Sequence, residues 1–161
     1  MIVTHYPALL AGDPVYGERA RALAARTFEL SQFLVDILDV IPGSERSGPS
    51  LAYHASCHGL RGLGLREQPR RLLRAVAGGR CTDLPDAETC CGFGGVFAVK
   101  MGPISGAMLQ SKLEAIEASG TEVVVATDVS CLMHIGGGLH RRGSGVCTRH
   151  IAEVLAGAPH E

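Results

Sequence analysis

Four of the six cysteines in this 161-residue chain stand in turn-like stretches: Cys57, the adjacent pair Cys90-Cys91, and Cys131. Neighbouring cysteines do not readily pair with each other, because the small ring containing their peptide bond strains the disulfide away from its relaxed dihedral. Both thiolates can instead turn to one side of an irregular backbone and hold one metal ion, or two irons of a cluster. The glycines that follow, Gly92, Gly94 and Gly95, allow positive φ and let backbone N–H groups approach sulfur or a bound anion. The run Cys90-Cys91-Gly92-Phe93-Gly94-Gly95 therefore reads as a ligand loop, with Cys57 and Cys131 as further thiolate ligands.

Histidines flank these positions. His134 closes Cys131-Leu132-Met133-His134, where a Cys-x-x-Cys would offer a second thiolate, and is a candidate ligand. His54, His58 and Arg61 read as donors of hydrogen bonds to sulfur, a role that raises a cluster's potential. Cys81 and Cys147 fall in strand-like stretches and read as small buried hydrophobes. The Gly-Phe-Gly-Gly run lacks the spacing of a dinucleotide-binding turn, and no Ser–His–Asp set or carboxylate pair points to substrate chemistry by this chain alone.

Composition narrows the setting. Lys+Arg 15 against Asp+Glu 16 gives a formal charge of −1, so no long-range field favours nucleic acid or an anionic membrane. The cations are almost all arginine, and the two lysines, Lys100 and Lys112, read as composition bias. No apolar run approaches the roughly 20 residues needed to span a bilayer, and residues 1–20 have no secretory pattern. A cytoplasmic location is expected, where disulfides are disfavoured and thiols serve as ligands, reactive groups or core fillers. A chain of this length buries most of its apolar surface without staples.

The elements that must hold these residues alternate. Residues 13–41 carry apolar groups at helical spacing and predict one long N-terminal helix, followed by a loop from Pro42 to Pro49. Ser50–His54 reads as a strand, Glu67–Val76 as a helix stopped by Gly78-Gly79, and Arg80–Leu84 as a weak strand. Pro103 opens a helix running to Ser119, and Glu122–Thr127 is a β-branched run suited to a central strand. Asp128 or Ser130 caps a helix carrying Cys131 to about His140. Val146–Arg149 gives an edge strand and His150–Leu155 a closing helix. Gly136-Gly137-Gly138 reads as a helix end or a point of close packing. The expected fold is α/β: a mostly parallel sheet of about four strands with helices on both faces, plus an N-terminal helix. Three cysteine-bearing loops would then meet at the carboxyl edge of the sheet.

The stretches YHASCHGLRGLGLREQPRRLLRAV, CCGFGGVFAVK and CLMHIGGGL resemble the cysteine-rich CCG domain of iron–sulfur oxidoreductases, specifically the C-terminal half of the lactate utilization protein A family. Similar domains occur in the iron–sulfur component of glycolate oxidase and in heterodisulfide reductase. The resemblance implies a 4Fe–4S cluster, in some relatives non-cubane, held here by Cys57, Cys90, Cys91 and Cys131. It also implies electron transfer in L-lactate oxidation together with other iron–sulfur or flavin subunits. The last family cysteine is replaced by His134, which leaves a five-thiolate site one short. A zinc-stabilised module with Cys57, Cys90, Cys91 and Cys131 or His134, and a thiol redox protein of the heterodisulfide kind, are the alternatives. Relatives carry two such domains. Residues 46–161 are expected to form one of them, and residues 1–45 a helical segment whose opening MIVTHYP resembles the stretch after the first domain. Two copies are expected to pair in place of the other half.

Overall fold

The structure is a computed structural model that describes residues 2–41, 43 and 48–157. Most of the expected loop from Pro42 to Pro49, and the boundary at 45/46, lies outside the described residues.

The N-terminal segment departs from the single long helix. It forms α1 (Tyr6–Leu9), α2 (Gly17–Ala24) and α3 (Leu30–Gln32), the last running on into a wide π-type turn over Phe33–Ile37. Asp13 does not start a helix directly. Its carboxylate accepts from the N–H groups of Val15 and Tyr16, turning the chain before α2. The helix then breaks after Ala25, where the Thr27 hydroxyl donates back to the Leu23 carbonyl. It restarts at Glu29, whose carboxylate accepts from Ser31 and Gln32 N–H while the Gln32 side chain answers the Glu29 N–H. That reciprocal cap favours a new helix start over continuation.

Four parallel strands follow as expected: β1 (Leu51–Tyr53), β2 (Cys81–Asp83), β3 (Val123–Ala126) and β4 (Cys147–His150), in the order β2-β1-β3-β4. Leu51 pairs with Cys81 on one side and Val123 on the other, and Val123 with Cys147. The apolar runs of β1 and β3 make them central, and all four β3 residues are buried. Cys81 is half-buried and packs against the core under β1, whereas Cys147, in the same row of the sheet on the opposite edge strand, is exposed and outside that core. The expectation of a buried Cys147 is thus corrected.

Successive strand residues point to opposite faces, and two cores result. Leu51, Tyr53, Val123 and Val125 pack against Leu72 and Leu73 of α4 (Gln68–Val76), Val35 and Ile151. Ala52 and Val124 pack against α6 (Gly102–Ala118) and α7 (Val129–Arg141), through Leu109, Leu113, Ile116, Ile135 and Leu139. Between β2 and α6 lies the short α5 (Val96–Lys100), which periodicity did not predict, and α8 (Ile151–Leu155) closes the chain. Gly136-Gly137-Gly138 lies inside α7 and is a packing point, not a helix end. A Cβ on Gly138 would stand 2.8 Å from Leu113 Cδ1, and one on Gly136 would stand 2.8 Å from Thr148 Oγ1. No helix among the described residues is long and apolar enough to cross a membrane.

Candidate metal centre

The crossover from β1 to β2 runs one way along the sheet and those from β2 to β3 and β3 to β4 run the other. Right-handed crossovers therefore put α4 on one face and α6 and α7 on the opposite face. The loops leaving β1 and β3 part company at their carboxyl ends, which is where open α/β sheets form a crevice. Cys57 lies just beyond β1, at the head of a wide π-type turn over His58–Gly62, and Cys131 lies in the first turn of α7 just beyond β3. The loop after β2 brings Cys90 and Cys91 to the same edge.

Cys91 and Cys131 meet with their sulfurs 3.3 Å apart, both buried. His54 joins them: its ring nitrogen and the two sulfurs all lie within 4.8 Å of one another. This imidazole is fully buried, and neither ring nitrogen has a hydrogen-bond partner among the described residues. An orphaned imidazole beside two thiols in a dry site is an arrangement that a metal ion would satisfy. Two thiolates bound tetrahedrally at about 2.3 Å stand roughly 3.8 Å apart, so the pair need open only slightly to accept one.

One proton suffices for the Cys91–Cys131 pair. The hydrogen bond with Cys131 holds Cys91 well below the ordinary thiol range against the effect of burial, with His54 and the Phe93 N–H assisting. The same bond, burial and the Cys91 charge push Cys131 upward. Cys57 is half-buried. Burial raises its thiol first, then the charge and hydrogen bond of Cys90 beside it, so that these two thiols are also neighbours. Asp128 caps α7, its carboxylate accepting from the N–H groups of Ser130 and Cys131. Cys131 thus sits where the helix dipole favours a thiolate, opposed by the Asp128 charge.

The ligand loop is held by its glycines and by α6. Gly92 has φ 90°, and a Cβ there would fall 2.6 Å from the Ser105 carbonyl oxygen. The Ser105 hydroxyl donates to the Gly92 carbonyl at 2.7 Å, and the Gly92 N–H points to Cys90 Sγ at 3.4 Å. Gly94 and Gly95 also take positive φ, turning the chain into α5.

The histidines divide. His134 is half-buried on α7, its ring set edge-on to Phe93 at 5.6 Å between centroids, with Nε2 buried and unpartnered among the described residues. His58 and Arg61 are exposed on the turn after Cys57. His54, read from sequence as a hydrogen-bond donor to sulfur, is the histidine grouped with Cys91 and Cys131. Sequence reading missed Ser105, whose signal was its place four residues before Leu109 on the inward stripe of α6.

This geometry meets independent support from sequence comparison. Residues 51–136 match the family described as a cysteine-rich domain, CCG. The chain is 46% identical to lactate utilization protein A of an Exiguobacterium species over 155 residues, 96% of this chain and 63% of that protein. The protein of the same name from Geobacillus thermodenitrificans is 48% identical over 158 residues, covering 96% and 64%. That from Lysinibacillus sphaericus is 43% identical over 150 residues, covering 93% and 66%. The chain thus spans a little under two thirds of the length of these relatives. With the matched segment running from the start of β1 into α7 and taking in all four clustered cysteines, the chain belongs to the cysteine-rich CCG domain family.

Proposed function

We propose that this chain is the iron–sulfur, electron-transferring part of a lactate-oxidising system. In this reading Cys57, Cys90, Cys91 and Cys131 hold a 4Fe–4S cluster. The observation that carries it is the dry group of Cys91, Cys131 and unpartnered His54 at the carboxyl edge of the sheet, with Cys57 and Cys90 adjoining. When bound, such a cluster supplies one-electron transfer. The chain's own part is to gather thiolates from three loops, to keep water from Cys91 and Cys131, and to orient the ligand loop through Ser105. His54 and His134 stand as nitrogen donors toward the same centre. The names of the relatives support lactate as the substrate of the whole system. The electron donors and acceptors would be other iron–sulfur or flavin subunits. Residues 46–161 form the cysteine-rich unit in this reading, and residues 1–45 a helical segment whose exposed Phe28, Phe33, Ile37 and Leu38 offer those partners a surface to cover.

A second reading has a specific observation in its favour. Two thiols and an imidazole so close together also suit zinc, which accepts mixed sulfur and nitrogen ligands in a closed tetrahedron. Anaerobic reconstitution with iron and sulfide separates the two. About four irons per chain with broad visible absorption are expected, and Cys90→Ser should abolish that absorption. Colourless protein that retains stoichiometric zinc, or a Cys90→Ser variant with an unchanged iron spectrum, defeats the cluster reading.

A further inference from the structure

Lys112 is one of two lysines in the chain. Lys100 is exposed at the end of α5, whereas Lys112 is 1% exposed in the middle of α6. It falls on the buried stripe of that helix, between Leu109 and Ile116 and beside Leu113. Among the described residues no carboxylate forms an ion pair with it. Its Nζ donates instead to the backbone carbonyl of Asp86 at 2.7 Å. Asp86 itself takes φ 55°, a left-handed conformation that only a few residue types tolerate, in the loop leading to Cys90.

An ammonium buried without a counter-ion is costly, and burial accordingly lowers the Lys112 pKa. Acting on it in the other direction are Asp86 and then the thiols of the site, Cys91 first. Three or four thiolates around a divalent ion carry a net charge of about −1 or −2. We propose that Lys112 is a positioning residue for the metal centre, a buried cation placed beneath the ligand loop to offset the negative charge of its thiolates. This rests on the reading that those thiolates hold a metal. A purely structural Lys112 would only tie the Asp86 carbonyl to α6.

Lys112→Met keeps length and removes charge, and Lys112→Gln removes charge but keeps a donor for the Asp86 carbonyl. Reduced, metal-free wild type and both variants are titrated with Co²⁺, whose thiolate charge-transfer absorption reports bound sulfur. Both variants are expected to bind Co²⁺ about tenfold more weakly, as loss of one nearby charge in a partly buried site implies. The metal-free melting temperature of Lys112→Met should stay at or above that of wild type, because an unpaired buried charge has gone. Equal Co²⁺ affinity in wild type and Lys112→Met overturns the inference. So does a Lys112→Gln variant that matches wild type, since the hydrogen bond and not the charge would then matter. Should Lys112→Met melt too low to compare, Lys112→Gln decides. Should wild type bind no Co²⁺, the metal reading fails and the inference falls with it, whereas equal binding by wild type and variants leaves the metal reading standing and overturns only the role of Lys112.

Discussion

Cys81 and Cys147 occupy matching positions at the start of β2 and β4, yet one is half-buried and the other exposed. Burial, reinforced by the Asp83 charge and opposed by Arg74 and Arg70, pushes the Cys81 thiol from 9.0 up to about 11. A folded-state value above the unfolded one favours the neutral thiol in the native protein. The stabilisation is present in full below pH 9, and is lost as pH rises through about 11. At pH 9 an ordinary thiol is half ionised and Cys81 only about one part in a hundred. Iodoacetamide at that pH should therefore modify Cys81 tens of times more slowly in the folded chain than in denaturant. Equal rates for Cys81 in the folded and denatured chain would remove the burial argument. At this scale the sequence carried the four clustered thiols well, because adjacency and glycine-rich turns are local signals. It did not carry Lys112, because a lysine becomes conspicuous only when the helix around it has been phased and the residue is found on the apolar stripe. Nor did it carry the pairing of His54 with Cys91 and Cys131, which depends on two strands lying side by side.

The elements were legible in proportion to how strongly their ends were marked. Pro103 and Gly120 bracket α6, and Asp128 caps α7 as its type and place suggested. The N-terminal segment was misread because apolar spacing continues across a break made by local hydrogen bonds of Thr27 and Glu29. The five-residue α5 is too short to display a period. Asp128 is the element-scale residue with the clearest consequence. Its carboxylate satisfies two N–H groups at the start of the helix that carries Cys131. Asp128→Ala should cost about 1 kcal/mol, a fall of about 2–4 °C in melting temperature for a domain of this size. Asp128→Asn, which can still cap, should recover most of it. A loss as large in Asp128→Asn as in Asp128→Ala would assign the effect to the charge and not to the cap.

At the scale of the whole molecule, the two cores are stitched by side chains of one central strand pair, while the candidate ligands come from loops after β1, β2 and β3. A metal held by all three loops would tie together segments that the sheet already aligns. Such a ligand binds the folded chain and has no equivalent site in the unfolded one, so its binding free energy adds to stability. At a free zinc concentration about 100 times the dissociation constant the gain is about 2.7 kcal/mol, or a rise of roughly 5–10 °C in melting temperature. The rise should vanish with excess chelator. It should shrink markedly in Cys57→Ser, whose residue is half-buried on the first loop and whose loss leaves the two cores intact. A full rise in Cys57→Ser would confine the site to His54, Cys91 and Cys131 and exclude the loop after Cys57 from it. No rise in the wild-type chain would mean that the thiols, though close, are not organised to bind. The comparison therefore reads directly whether the three loops act as one site, which neither the spacing of the cysteines nor their proximity alone decides.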